Sequence, residues 1–404
     1  MQLARALADM MHDVLRGELA KTTPGRIVAL LWTGLLAGSL VHWGLFGGVI
    51  VDSQGRPLSG DFLAFWSAGQ LFASGHPAAA YDPQILHALQ VQDSGQVSAT
   101  YYPWDYPPLF LFVAILLAQL PYAVAFVSWA VGTLAGYGAC VRTLFRDRDA
   151  AIAFGAAPAC FAAFIVAQTG LLTAALFGTA LLTLSKRPIV SGLLLAALTY
   201  KPQFGLLIPV ALIAGGHWRT ILTAALATAA WIVVWLLIDR TVFTEFAHSL
   251  QFASNTYLTV APGGWNKLQS LYGLLRSVGV GNGWAGAVQG LFTAGAAIAV
   301  ALAWRSPLSA AMKSAILVVC SLIATPYSFI YDFPILSVAV GFLYRNRAFD
   351  RFERTAVWSA YALTAAYLVS GIAFGMGAVA LVAAVAARRA GPPFWAPTKR
   401  PALP

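Results

Sequence analysis

Long apolar runs separated by short polar breaks dominate this chain from residue 27 onward. Twelve of them read as membrane-crossing helices, at 27–50, 122–142, 150–167, 170–185, 188–200, 202–215, 219–238, 282–303, 309–325, 331–344, 355–371 and 372–387. A crossing helix needs about 20 apolar residues, and a bundle tolerates shorter ones. One further apolar stretch, 106–121, is bounded by proline at both ends. Proline suits a helix's first turn, so this stretch reads as a helix that dips into or lies along the outer leaflet.

The breaks carry charge unequally. With the N-terminus inside, only Arg56, Lys201, Arg240, Lys267 and Arg276 of the 25 Lys and Arg fall on the outer side. That bias follows the positive-inside rule and places both termini in the cytoplasm. The net charge of +10 is then mostly topology, and nucleic-acid binding is not expected. A hydrophobic fraction of 59% with 10% charged residues excludes an ordinary soluble domain. The expectation is an all-α polytopic protein of the inner (cell) membrane.

Residues 1–26 read as a cytoplasmic amphipathic lead-in to an uncleaved signal anchor. Residues 27–387 read as one membrane domain with outer loops 52–121 and 239–281, and 388–404 as a Pro-rich cytoplasmic tail. The first outer loop has room for interfacial helices at about 61–74 and 83–92. Cys140, Cys160 and Cys320 lie in apolar stretches and read as core, with no disulfide framework. His42, His76, His87 and His248 lack metal-ligand spacing, and no phosphate-cradling or nucleophile-elbow motif occurs, so neither metal nor cofactor is expected.

Asp61 is the leading chemical candidate. It sits in Gly60-Asp-Phe-Leu-Ala-Phe-Trp66, just past the first apolar run, where a carboxylate is costly beside a bilayer. It suits a general base, although Asp is also a favoured helix cap. Lys201 breaks the apolar stretch 188–215 and suits an anionic phosphate, or else snorkels to a headgroup. Lys267, Arg240 and Arg276 are further phosphate candidates. Tyr106, Gln168, Gln203, Asn266, Gln269, Tyr327 and Asp332 are candidate substrate contacts on the same side. Tyr106 also belongs to a structural turn, Gln168 also fits a bare turn, and Asp332 also suits pairing with a base or capping. The Trp and Tyr residues of 101–106 read first as an interfacial aromatic belt and second as sugar-stacking platforms.

The order Gly-Asp-Phe-x-x-Phe-Trp (60–66), Tyr-Pro-Pro-Leu (106–109), Gln-Thr-Gly-Leu (168–171), Lys-Pro-Gln (201–203), Asn-x-x-Gln-Ser-Leu (266–271) and Thr-Pro-Tyr-x-x-x-Tyr-Asp (325–332) resembles the GT-C glycosyltransferases. Glycosyltransferase family 87 is the nearest match, over roughly residues 25–350. The resemblance implies a GT-C-type bundle, a polyprenyl-phosphate sugar donor (mannose first), and chemistry on the non-cytoplasmic face. It also implies an Asp base in the first outer loop, which falls on Asp61. The acceptor would be a hydroxyl of a lipid or glycan, but nothing here identifies a phosphatidylinositol-type acceptor.

Two other classes compete. Twelve spans with broken helices also suit a secondary transporter of a lipid-linked or small polar substrate. Against it, the halves show no internal repeat and the chemistry-bearing residues gather on one side. A non-catalytic scaffold for envelope assembly is the third reading, and Asp61 would be dispensable in it.

Overall fold

The computed structural model describes Trp32 and residues 50–95, 100–261 and 264–391, apart from positions 53, 55 and 59 and the side chains at 257 and 259. The expected lead-in 1–26, nearly all of the expected span 27–50, and most of the tail 388–404 lie outside the described residues. Helices account for almost all regular structure among the described residues.

Their ends fall where the apolar runs break. The two expected interfacial segments are the helices Asp61–Ala73 and Pro83–Ser94, the second capped by Asp82, which accepts from the amides of Gln84 and Ile85. Pro158, Pro188, Pro202 and Pro334 each open a helix, where a missing amide hydrogen costs nothing. Ser270 and Ser309 cap the helices Leu271–Ser277 and Ala310–Ala324.

The expected twelve crossings are not reproduced as twelve long helices. Among the described residues, Tyr122–Leu144, Trp218–Ile238 and Asn282–Arg305 are long and apolar enough to cross alone. Arg148–Gly155 and Pro158–Ile165 would make a fourth as one span bent by 68°. The other expected spans within the described residues form helices that are shorter or less apolar. At about 1.5 Å per residue the shorter ones fall short of a ~30 Å core if they stand straight. The 106–121 segment forms the short apolar helix Pro108–Ala118, too brief to cross by itself.

The expected loop 239–281 is not a plain loop. It contains the helix Thr241–Ala253, which continues into a π-helical run Ser254–Val260, and the short helix Leu271–Ser277. Its apolar residues are spaced to cover one face only, so they lack the uninterrupted hydrophobicity that marks a span.

Ala310–Ala324 and Pro334–Asn346 lie side by side at the centre, with nearly every residue up to Leu343 buried. Small residues let these helices approach closely. A β-carbon at Gly178 would fall 2.5 Å from Cys140 Sγ and 3.1 Å from Val338, so three helices meet there. Trp218–Ile238 lies at the periphery and exposes a broad apolar face, including Leu222, Leu226 and Leu237. Water would not tolerate such a face, whereas hydrocarbon does. The Asp61–Ala73 helix is seated on Leu111–Ala118, backbone against side: a β-carbon at Gly69 would lie 2.1 Å from the Ala114 carbonyl oxygen.

Far along the chain from Asp61, Glu353 is fully buried at the first turn of Arg351–Ser370. Asp350 and Glu353 cap that turn reciprocally. Arg389, from the last turn of Gly375–Ala390, grips the Glu353 carboxylate at 2.6 and 2.9 Å, and Arg347 reaches it at 3.2 Å. The Arg389 hydrogen bonds hold the Glu353 carboxyl below its ordinary range. Such a group stabilises the fold above its unfolded-state titration range, and the contribution is lost as pH falls through its lowered folded value. Glu353→Gln leaves Arg389 buried without its counter-charge. It is expected to cost about 3 kcal/mol, the size seen when one partner of a buried pair is removed. Thermal unfolding of detergent-solubilised protein checks this, and the difference from wild type should shrink on acidification.

Candidate active site

A cavity of about 330 Å³ opens between the Asp61–Ala73 helix, the 102–107 segment, the Tyr200–Gln203 break, the Thr241–Ala253 helix and the 327–332 segment. Asp61, Tyr106, Gln168 and Lys201 line it, as do Gln203, Tyr327 and Asp332. These seven sequence candidates come from breaks scattered over 270 residues of chain, and the fold gathers them on one wall system.

Asp61 occupies the first position of its helix, after Gly60, and does not cap it. Its Oδ2 accepts instead from Gln168 Nε2 at 2.9 Å, across 107 residues of sequence. No described residue hydrogen-bonds Oδ1. Burial pushes the Asp61 carboxyl above its ordinary range, while the Gln168 hydrogen bond and the Lys267 charge pull it back down.

Gln168 is itself tightly held. Its Oε1 accepts from the Tyr106 hydroxyl at 3.0 Å and from the Thr169 amide at 3.2 Å. A backbone amide can only donate, so the side-chain oxygen must face Thr169 and the NH₂ must face Asp61. The backbone leading to Gln168 is a helix C-terminal motif: the Gln168 amide bonds Ala163 O at 2.9 Å, and the Ala167 amide bonds Phe164 O at 3.1 Å. Such a motif needs a left-handed residue, normally glycine, and here Ala167 takes it with φ 49°. A β-carbon there costs roughly 1–2 kcal/mol. Trp129 Nε1 donates to Ala167 O at 2.8 Å and helps hold the turn. Gly170, next along, has no room for a side chain, since a β-carbon would fall 1.6 Å from Tyr331 O.

Lys201 does not snorkel toward a headgroup. It is buried, and its Nζ is ion-paired and hydrogen-bonded to Asp332 Oδ1. Asp332 Oδ2 accepts from the Phe329 amide at 3.0 Å, so Asp332 both pairs with a base and caps a turn. Nζ also lies 5.4 Å from the Tyr331 ring centre.

The other candidates are placed outside the cavity lining. Lys267 is exposed on the short turn Trp265–Lys267, near enough to Asp61 for its charge to act there. Asn266 is exposed beside it, and Arg240 is exposed at the start of Thr241–Ala253. Arg276 stacks at 4.2 Å on Trp265 and donates to Val280 O. Gln269 is buried, its amide bonded to Asn266 O and to the Gly375 amide.

The aromatic-belt reading of 101–106 fails for Trp104, which is buried and stacked 5.7 Å from Phe110. Tyr106 packs among Phe65, Phe110 and Tyr200. Together these rings build the cavity wall. Sequence reasoning weighed Tyr102 only within the 101–106 aromatic group and did not single out Asp105, Tyr200 or Tyr331, all of which line the cavity. Tyr200 and Tyr331 each adjoin a candidate, and that adjacency was the available signal.

The sequence profile of glycosyltransferase family 87 matches residues 104–326, more than half of the chain. Neither a curated protein nor a solved structure matches it significantly. The matched segment carries Tyr106, Gln168, Lys201 and Gln203, and so includes much of the cavity wall just described. The chain therefore belongs to glycosyltransferase family 87, and it is a glycosyltransferase.

Proposed function

We propose that this enzyme transfers a sugar, mannose in the first instance, from a polyprenyl-phosphate donor to a hydroxyl of a lipid or glycan, at the non-cytoplasmic face of the inner membrane. In this reading both termini are cytoplasmic, the helices form a GT-C-type bundle of about twelve crossings, and Asp61 is the general base. The single observation that carries it is the Asp61 carboxylate on an aromatic cavity, one oxygen held by Gln168 and the other with no described protein partner. Asp61 lies before the family-matched segment, and its hydrogen bond to Gln168 joins it to that segment.

In the step itself, the acceptor hydroxyl gives its proton to Asp61 as its oxygen attacks the anomeric carbon. The bond from that carbon to the phosphate oxygen breaks, and the lipid phosphate leaves as an anion. A phosphate leaves without a general acid, and nearby cations or N–H donors steady its charge. Lys201 supplies N–H donors, but Asp332 already offsets its charge. Lys267 forms no ion pair among the described residues and brings an uncompensated charge. Tyr106, Gln203, Asn266, Gln269, Tyr327 and Asp332 complete the proposed substrate surroundings, those away from the cavity wall acting by support.

Asp61→Asn keeps size and removes the proton acceptor. Transfer should fall at least ~10²-fold, the low end for loss of a general base. The assay is transfer of radiolabelled mannose from polyprenyl phosphate to total membrane lipid by protein purified in nanodiscs. Wild-type turnover in this variant would sink the base assignment.

The lysines should separate. Lys267→Gln should raise the apparent KM for the donor about tenfold, the effect of one lost charge-assisted contact. Lys201→Gln should also impair donor use, yet it strands a buried Asp332 and should lower stability by about 3–5 kcal/mol. The double variant Lys201→Gln with Asp332→Asn should regain most of that stability without regaining donor use. Wild-type donor KM in Lys267→Gln, and in the stable double variant, would remove both lysines from phosphate binding.

A further inference from the structure

The fold holds the Gln168 amide through its oxygen, which accepts from Tyr106 and Thr169, and aims one of its two N–H bonds at Asp61. A residue kept only for the turn would not need that side chain, because the turn is closed by backbone bonds from Ala167 and Gln168. A residue meant to grip substrate would leave its amide pointing into the cavity, whereas the Gln168 oxygen is occupied by Tyr106 and Thr169.

Building on the reading of Asp61 as base, we propose that Gln168 is the positioning residue of the reaction, with Tyr106 as its orienting partner. Tyr106 donates to Gln168, Gln168 donates to Asp61 Oδ2, and Oδ1 is thereby presented to the acceptor hydroxyl. Three features hold this line in place. Tyr81 donates to Tyr106 O at 2.9 Å, Trp129 donates to Ala167 O at 2.8 Å, and Ala167 is kept in its left-handed conformation.

The arrangement acts on both geometry and charge. A carboxylate free to rotate presents its lone pairs at random, and misalignment of a proton acceptor by a fraction of an ångström is costly. An N–H donor also favours the ionised carboxylate, in opposition to burial. Lys267 adds to it from the Trp265–Lys267 turn. The hydroxyls of Tyr102, Tyr106, Tyr122 and Tyr331 couple to the Asp61 charge from three other segments. Asp105 and the Lys201–Asp332 pair share the cavity. Those groups remain when Gln168 is changed, so a shift on its removal reports the lost N–H.

The test uses the full chain in nanodiscs with three variants, Gln168→Leu, Gln168→Glu and Tyr106→Phe. Transfer from radiolabelled polyprenyl-phosphate mannose to total membrane lipid is followed against pH. The Asp61 carboxyl is titrated separately by infrared difference spectroscopy without substrate, its band assigned with Asp61→Asn. In Gln168→Leu, kcat should fall roughly 10–100-fold at neutral pH while the donor KM stays within about twofold. The base must be ionised, and its pKa rises when the donor is lost. Both the acid limb of the rate profile and the infrared midpoint should therefore move to higher pH. Gln168→Glu keeps the shape but sets a second carboxyl against Asp61, so its profile should move further in the same direction. Tyr106→Phe retains the amide but loosens it, and should move least. Should Gln168→Leu fail to fold, the other two variants carry the test.

Two results would overturn the proposal: an infrared midpoint unmoved in all folded variants, or a donor KM that rises while kcat is kept. If Asp61→Asn transfers at the wild-type rate, the base reading fails on its own account. The infrared titration then still reports whether Gln168 governs the Asp61 carboxyl.

Discussion

A carboxylate that must accept a proton has to be ionised and aimed, and a cavity walled by aromatic rings opposes both. Burial favours the neutral acid, and no rigid partner comes with the Asp61 helix itself. The remedy is one neutral N–H donor brought from a distant turn. Placing that donor determines much around it: a left-handed alanine, an indole bond to its carbonyl, a tyrosine that orients the amide, and a glycine pressed against the Tyr331 carbonyl. The strain at Ala167 is local and modest, and it lies one residue before the side chain that touches Asp61, where strained backbone commonly serves function.

Much of the fold was legible in the sequence because proline and polar residues interrupt otherwise continuous apolar runs. Helix ends at Asp61, Tyr122, Gly170, Pro188, Trp218 and Asn282 follow those interruptions closely. What could not be read is whether a run of fourteen or fifteen apolar residues crosses a bilayer, since length and tilt both enter. The 239–281 segment was opaque for another reason. Its helices bury one face only, and polar residues such as Gln251 and Ser254 interrupt the apolar signal.

The site was legible as a set and illegible as a geometry. Asp61, Tyr106, Gln168, Lys201 and Asp332 stand out because each polar group interrupts or flanks an apolar run. Their pairing depends on tertiary contacts across 62 to 131 residues, on which local pattern is silent. Gln269 and Arg276 carried the same sequence signal, yet the fold turns them to the Gly375 amide and to the Trp265 ring. A polar residue at a helix start is as often structural support as chemistry, and only the fold separates the two.

The ion pair between Lys201 and Asp332 also bears on how the chain is made. Residue 201 is synthesised 131 residues before its counter-ion. Until Asp332 emerges, the lysine at the Tyr200–Gln203 break lacks the carboxylate it is buried against. Gly170 likewise awaits Tyr331 before its helix can be sealed. The part of the cavity wall built by Tyr331 and Asp332 is therefore completed only after the chain has been made past residue 332.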